Sequence, residues 1–341
     1  MKIKIGLSVF LFSLLLIISG IVAITIGVVP IPFADVVKIL LSPLGITDVS
    51  GYSEGYVLTI LQLRVPRVIF SILGGASLAI CGAVFQSVFR NPICDPYIIG
   101  ISSGASLGAA IAFILGWDLL FFGVTIPALI TALLTLMLIL GIARVTHRNS
   151  IQTLLLAGIA VNFLISATIT LLMVMNKQEM QKIIFWTMGS CASVSYQEIL
   201  FFLPLFLFSV FVLFYFSKDL NIMQFGSEAA RSLGVNSQFV TLATLFVSSL
   251  LIAAVVSISG VIGFIGLIIP HIVRLLWGNN NRHVFVFSIF LGAFFLLIAD
   301  TLARTLVSNA ELPVGSITAM AGAPYFIYLL LRKNKQNGVL I

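Results

Sequence analysis

Charged residues that could carry out chemistry in an apolar environment are scarce in this sequence. Asp300 is the only charged residue in the apolar stretch Val284–Ala303, and Arg304 follows it by four positions. On a helix this spacing places both side chains on one face, so we predict a local salt bridge between them. Ion-coupled transporters and channels bury several acids, histidines or a ring of charge. One acid with a cation beside it therefore disfavours ion-coupled transport.

The histidines and cysteines lack the spacing that catalysis or metal binding requires. They are His147, His271, His283, Cys81, Cys94 and Cys191. This scatter does not fit a tetrahedral metal site or a disulfide framework. The sequence has no Gly-Lys dipeptide and hence no Walker A phosphate-binding loop. We therefore predict no catalytic residue, no metal site and no bound cofactor, so that any ATP used for transport must be hydrolysed by a separate subunit.

The composition indicates that membrane helices position these residues. The chain has 341 residues, of which 60% are hydrophobic and 9% charged, and its mean hydropathy is +1.20. Soluble domains have about a quarter charged residues. The composition excludes a soluble enzyme, a secreted disulfide scaffold and a disordered module. It predicts an all-α polytopic membrane protein.

The charged residues divide the chain into apolar segments of the length that crosses a membrane, about 20 residues. Six such segments precede Lys218, and the uncharged stretch Ser232–Val273 is long enough for two, with a turn at Ser257–Gly263. Two more, Val284–Ala303 and Leu312–Leu331, complete a single membrane domain of ten spans over residues 1–341. The piece Ile183–Gln197 is too short and polar to cross, so we expect it at the membrane interface.

The distribution of cations predicts the orientation of these spans. An even number of spans places both termini on one side. If the N-terminus is cytoplasmic, most of the 18 lysines and arginines fall in cytoplasmic segments, as the positive-inside rule requires. Both termini are therefore predicted to be cytoplasmic, and the net charge of +7 is explained by these segments without nucleic acid.

Small residues recur every four positions in the third span. Gly100, Gly104 and Gly108 form a stripe along one helical face. Such a stripe allows a neighbouring helix to approach closely. We predict tight helix packing within one subunit, with the lining of a wide pathway as the alternative.

A series of motifs resembles the FecCD-type permease subunit of ABC importers for iron–siderophore, haem and cobalamin. In chain order the motifs are Arg64–Arg67, Gly74–Gly82, Arg90–Pro96, Gly100–Gly104, Leu154–Gly158, Trp186–Ser190, Gly226–Gly234, Gly260–Arg274, Ala299–Arg304, Glu311–Gly315 and Gly322–Pro324. The resemblance covers about residues 60 to 331. Cys94 departs from it, because the family more often has a small residue there.

The resemblance implies a homodimer with ten helices per subunit around a central translocation pathway in a prokaryotic cytoplasmic membrane. It also implies two ABC ATPase subunits, which bind ATP and Mg²⁺, and an extracytoplasmic substrate-binding protein. A ferric siderophore is the expected substrate on family frequency, with haem, cobalamin and molybdate as alternatives. An ion-coupled secondary transporter is the alternative from another class.

Three arginines gain a specific interpretation from the resemblance. Arg64, Arg67 and Arg304 lie on the predicted outer side, against the inward bias of the other cations. The resemblance implies that they dock acidic residues of the binding protein, and the planar guanidinium group suits bidentate pairing with carboxylates. Lipid headgroup contact or local pairing is the alternative.

The predicted inner segment Asn221–Asn236 is the longest polar stretch between two spans. We expect Ser227 to cap a short helix and Gly234 to end it. The resemblance implies a coupling helix that contacts the ATPase, whereas an ordinary loop helix is the alternative. The residues assigned to ATPase coupling are Gly226, Ser227, Glu228, Arg231, Leu233 and Gly234.

The resemblance implies that two short segments at inner helix ends form a cytoplasmic gate. The alternative, equally consistent with their proline and short polar residues, is that they only end one helix and begin the next. They consist of Asn91, Pro92 and Ile93 together with Ser150, Ile151, Gln152 and Thr153. The spans supply few convergent polar groups, so we expect no dedicated substrate pocket in this chain.

Overall fold

A computed structural model describes residues 2–27, 31–145, 151–307 and 310–336. Within these ranges all regular secondary structure is helical, and no β-strand is present. The helices are α1 (Lys2–Thr25), α2 (Phe33–Leu41), α3 (Glu54–Leu58), α4 (Val65–Val88), α5 (Ile101–Ile114), α6 (Thr125–Val145), α7 (Ile151–Met175), α8 (Met180–Thr187), α9 (Tyr196–Tyr215), α10 (Ser217–Met223), α11 (Ser227–Ser232), α12 (Ser237–Ser259), α13 (Ile265–Trp277), α14 (Asn281–Ala303) and α15 (Val314–Gln336). Short 3₁₀ turns lie at Ser42–Leu44, Pro96–Ile99 and Trp117–Leu119, and a π-helical stretch, Thr59–Arg64, joins α3 to α4.

The apolar segments delimited by the charged residues each contain a helix. These helices are α1, α4, α5, α6, α7, α9, α12, α13, α14 and α15. In the described part of the chain, seven helical stretches are long and apolar enough to cross a membrane. Helices α5 and α13 have 14 and 13 residues and are thus only about 20 Å long, less than the ~30 Å hydrocarbon core. The count of ten complete crossings therefore stays a prediction.

Helix α4 lies at the centre of the fold and packs against α9, α12, α13 and α14. Nearly all of its side chains are buried. Two glycine pairs allow its neighbours to approach. Gly75 faces Gly292 of α14 and Gly82 faces Gly266 of α13, and a Cβ on Gly75 or Gly82 would overlap the opposing carbonyl oxygen. The backbones are thus in direct contact at both crossings.

The glycine stripe of α5 lies against α6 of the same chain. Gly104 meets Thr135, and Gly108 meets Thr131 and the Pro127 carbonyl. Gly100 has φ +73° and precedes the first residue of α5. Helix α6 fills the face that these glycines open, which is the arrangement expected of packing within one subunit.

Polar side chains gather at the two ends of the helical bundle. We call one the cationic end, which carries Arg90, Arg144, Arg231, Arg274 and Arg282. We call the other the cluster end, which carries Arg64, Arg67, Asp300, Arg304 and Glu311. The positive-inside rule predicts that the cationic end is cytoplasmic.

Candidate functional site

At the cluster end, Arg67 of α4 lies between two carboxylates. Its Nε donates to both oxygens of Asp300 at 3.0 Å, and its Nη1 donates to both oxygens of Glu311 at 2.9 and 3.0 Å. The salt bridge predicted from spacing is also present, with Arg304 Nε 3.7 Å from Asp300 Oδ2. The closer partner of Asp300 is nevertheless Arg67, which is remote in sequence and which local spacing could not indicate.

The three arginines assigned to docking lie together around a cavity of about 540 Å³. Arg64 Nη1 donates to the Ile24 carbonyl at 2.7 Å, and Arg304 Nη2 donates to the Ala23 carbonyl at 2.9 Å. The residues Arg64, Arg67 and Arg304 are only 8%, 6% and 3% exposed. Local pairing thus accounts for their present contacts, and their docking role stays a prediction. Glu311 is the most exposed charged residue of this cluster, with 43% of its side chain accessible.

The segment assigned to ATPase coupling contains α10 and the short helix α11. Gly226, with φ +116°, occupies the N-cap position of α11. The prediction that Ser227 is the cap was therefore wrong, because Ser227 is the first helical residue. The prediction for Gly234 is confirmed. Gly234 adopts φ +79°, and the bonds Gly234 N–H to Arg231 O and Val235 N–H to Ala230 O form a Schellman motif that ends the helix.

Helix α11 and its flanks present both charged and apolar groups at the surface. Glu228 and Arg231 are exposed, and so are Leu233 (68%) and Phe225 (84%). Sequence reasoning missed Phe225, although a large aromatic residue within a polar segment is itself a signal of an anchor for a partner.

A polar network connects this segment to the core at the cationic end. Asn221 Oδ1 accepts from the Asn281 N–H at 2.7 Å, and Asn221 Nδ2 donates to Asn280 Oδ1 at 3.2 Å. Asn281 Oδ1 accepts from Ser87 Oγ at 2.7 Å and from Arg274 Nη2 at 3.2 Å. We call these five residues the asparagine network. It links α10, directly before α11, to α4, α13 and α14.

The residues assigned to the gate lie where two helices meet the cationic end. Asn91, Pro92 and Ile93 form an exposed turn after α4, in which Asn91 Oδ1 accepts from the Ile93 N–H at 3.1 Å. Ile151, Gln152 and Thr153 form the first turn of α7, and Ser150 lies outside the described residues. Their gating role stays a prediction.

A second cavity, of about 700 Å³, lies between α5, α7 and α8. Hydroxyl and amide side chains line it, namely Ser102, Ser103, Ser106, Asn162, Ser166, Thr170 and Thr187. Ser103 Oγ donates to Asn162 Oδ1 at 2.5 Å. The expectation of few convergent polar groups is wrong for this hydroxyl-lined cavity. The signal was in the sequence, since Asn162, Ser166 and Thr170 recur every four positions and share one face of α7.

Asp95, at the edge of the hydroxyl-lined cavity, caps the turn between α4 and α5. Its Oδ1 accepts from the Tyr97 N–H at 2.8 Å. Burial raises the pKa of this carboxyl above its ordinary value of 3.8, and the Tyr97 N–H opposes that shift. The Tyr97 hydroxyl donates to the Ile262 carbonyl at 2.9 Å, which ties the turn to the α12–α13 connection.

Known proteins resemble the chain over almost its whole length. A family model described as the FecCD transport family matches residues 15–332. The ABC transporter permease protein YvrB of Bacillus subtilis (strain 168) is 40% identical over 284 residues, 82% of this chain and 80% of that protein. The hemin transport system permease protein HmuU of Yersinia pestis is 38% identical over 282 residues, 81% of this chain and 84% of that protein.

Solved structures support the same comparison. One described as an inward-facing conformation of a metal-chelate type ABC transporter superposes with a TM-score of 0.81 at 31% identity, over 96% of this chain and 99% of that one. Other relatives are named as permeases for molybdate, cobalamin and Fe(3+)-citrate.

Proposed function

The chain belongs to the FecCD transport family of ABC importer permeases, and from this premise we propose that it carries a metal chelate, a ferric siderophore in the first instance, across the cytoplasmic membrane. It is a multi-pass membrane protein. In the proposed assembly two copies form the pathway, two ATPase subunits supply the energy, and an extracytoplasmic binding protein delivers the substrate.

The observation that carries the ATP-driven part of this proposal is the exposed helix α11 and its connection to the core, whereas the metal-chelate cargo is proposed from the relatives. A helix with surface charges and flanking apolar residues suits a groove on a cytoplasmic partner. The asparagine network binds the preceding helix to α4, α13 and α14. Closure of an ATPase dimer on α11 would therefore move helices that run through the bundle, so energy from ATP reaches a chain that has no nucleotide-binding motif.

The hydroxyl-lined cavity supports a role of α5 and α7 in the pathway. Neutral hydroxyl and amide groups offer hydrogen bonds to a chelate without a fixed charge, so they allow passage without tight retention. Beside the cavity α7 exposes large apolar side chains, among them Leu156, Phe163 and Leu171. We propose that this face of α7 contacts the second copy across the pathway.

The arginine cavity at the cluster end supports docking of an acidic binding protein. Arg64, Arg67 and Arg304 line it together. Guanidinium groups in a partly enclosed site bind carboxylates through charge-assisted hydrogen bonds. The positive-inside rule predicts that this end faces the outside, where the binding protein would arrive.

The nature of the cargo is tested by the metal content of cells. A strain that lacks the gene and its parent are grown with iron, cobalt and molybdenum each at limiting levels, and cellular metals are measured by elemental analysis. A siderophore or haem importer gives a fall in iron alone. Unchanged iron with less cobalt or molybdenum would contradict the iron assignment and indicate cobalamin or an oxyanion. No change in any metal would contradict chelate import itself.

A further inference from the structure

Two buried guanidinium nitrogens beside the cavity at the cluster end lack acceptors among the described residues. Arg67 Nη2 and Arg304 Nε are buried and make no hydrogen bond within the described part of the chain. Both residues line the cavity together with Arg64 and Glu311. Three arginines against the two carboxylates of Asp300 and Glu311 leave this cluster with an excess of one positive charge. The cluster therefore has an excess charge that attracts an anionic group, and its two unpaired donors can accept one only after a present contact opens.

The two carboxylates already present differ in how firmly they are held. Asp300 lies on α14, is fully buried and contacts two arginines. Glu311 lies between α14 and α15, is 43% exposed and forms its ion pair with Arg67 alone among the described residues. Replacement of Asp300 by an incoming carboxylate would require α14 to move. Glu311 needs only a side-chain rotation to leave Arg67.

We propose that Glu311 occupies the position that a carboxylate of the binding protein takes on Arg67, so that docking exchanges one carboxylate for the other. The inference rests on the docking role proposed above and adds this exchange to it. An acidic side chain of the binding protein replaces Glu311 on Arg67 Nη1, and once Glu311 has left it also accepts from the adjacent Nη2, which gives the bidentate pairing that arginine favours.

This exchange explains how Arg67 Nη1 is paired before docking. A buried guanidinium with unmet donors is destabilising; Asp300 accepts from Nε, and Glu311 accepts from Nη1 while the site is free. Replacement of one carboxylate by another leaves the charge of the cluster unchanged. Glu311 is then a built-in competitor that keeps docking reversible.

The electrostatic part of the proposal is tested with small charged reagents on the full-length chain. In Glu311→Cys the introduced thiol stands at the cavity, while Cys81, Cys94 and Cys191 are buried. Labelling rates are compared for anionic methanethiosulfonate ethylsulfonate and its cationic trimethylammonium analogue. The control is Asp48→Cys, because Asp48 is exposed and its carboxylate bonds to the neighbouring Ser50.

In Glu311→Cys the anionic reagent is expected to react about tenfold faster, relative to the cationic one, than in Asp48→Cys, because an excess positive charge concentrates anions in a cleft. Equal ratios in the two variants, or a preference for the cationic reagent in Glu311→Cys, would overturn the carboxylate site.

The exchange itself is tested by docking of the binding protein to the intact importer. Glu311→Gln keeps the size of the side chain and removes the competing charge, so the dissociation constant is expected to fall about tenfold. Asp48→Asn controls for the general loss of negative charge and is expected to leave docking unchanged. Unchanged or weaker docking of Glu311→Gln overturns the exchange.

Arg64→Gln separates that failure from failure of the docking role. If Arg64→Gln weakens docking while Glu311→Gln does not strengthen it, the arginines dock the partner without exchange. If neither variant changes docking, the arginine cavity is not the docking site and both proposals fall.

Discussion

Arg67 and Asp300 are the most constrained charged residues of the cluster end. Both are almost fully buried, and each lies within hydrogen-bond distance of the other. Removal of one partner from a buried pair costs more than replacement of both, because the remaining charge stays buried and unpaired. Arg67→Glu would place a third carboxylate beside Asp300 and Glu311. Its first effect would therefore be on folding, and it would not report on docking alone. Arg64, which donates to the backbone carbonyl of Ile24, is the better position for a docking test.

Asp300→Asn is expected to destabilise the chain by about 3–5 kcal/mol, because it leaves Arg67 and Arg304 buried with Glu311 as the remaining acid of the cluster. Glu311→Gln should cost much less, because Glu311 is partly solvated. Unfolding of both variants in detergent gives the comparison. Equal destabilisation by the two variants would show that Asp300 is not the anchor of the cluster.

Asp95 gives a prediction for pH dependence. Its pKa is raised by burial in the folded chain, so folding favours the protonated form. The wild-type chain therefore loses stability as the pH rises from the ordinary pKa through the raised one. Asp95→Asn keeps an acceptor for the Tyr97 N–H and carries no charge. The variant should unfold at a higher temperature than wild type at neutral pH, and the difference should disappear near pH 4. A constant difference from about pH 4 to pH 8 would exclude Asp95 as the titrating group.

At the scale of elements, α4 and α14 form the pair on which both candidate sites depend. Near one end of the pair, Arg67 of α4 bonds to Asp300 of α14. Near the other end, Ser87 of α4 bonds to Asn281 of α14. Between these contacts the two helices touch at Gly75 and Gly292. Polar pairs at both ends and a glycine crossing in the middle hold them in one register.

Gly82→Ala is expected to destabilise the chain by about 1–3 kcal/mol, since the new methyl group would overlap the Gly266 carbonyl and force α4 from α13. Gly141→Ala is the matched control on α6, where no described atom outside its own helix lies within 4 Å of the added carbon. Thermal unfolding in detergent measures both. Equal effects would contradict direct backbone contact between α4 and α13.

Asn281→Ala is expected to reduce transport about tenfold or more while the ATPase remains bound and active. The variant removes the acceptor shared by Ser87 and Arg274. Asn279→Ala is the matched control, because Gln224 and Arg274 donate to the backbone carbonyl of Asn279, which alanine retains. Uptake and ATP hydrolysis are measured in the same vesicles. Full transport in Asn281→Ala would show that the network does not transmit motion.

The helices were predictable from the sequence, whereas their polar contacts were not. Charged residues delimit the apolar segments, so the approximate positions of α6, α7 and α14 follow from the spacing of charges along the sequence. The pairing of Arg67 with Asp300 depends on how α4 packs against α14, and no local pattern records that. The turn at Gly260–Phe264 was visible from its glycines, but the left-handed conformation of Phe264 (φ +70°) was not. The polar face of α7 is visible in the sequence as the spacing of Asn162, Ser166 and Thr170.

At the scale of the whole molecule, the two candidate sites lie at opposite ends of the same helix pair. The cluster end holds the arginine cavity, and the cationic end holds α11 and the asparagine network. Docking at one end and ATPase closure at the other would then act on α4 and α14 together. This arrangement suits an importer in which the energy source and the substrate donor lie on opposite sides of the membrane.

The most direct test asks whether α11 connects the chain to an ATP-hydrolysing subunit. Tagged wild-type chain, Glu228→Arg and the control Asp48→Arg are purified from native membranes and reconstituted in vesicles in equal amounts, and ATP hydrolysis and substrate uptake are measured for each. Asp48 is exposed and does not line the arginine cavity. We predict that wild type and Asp48→Arg retain an ATPase and support uptake, and that Glu228→Arg loses both. Uptake by the chain alone, without ATP or an ATPase, would contradict the account and show a secondary transporter.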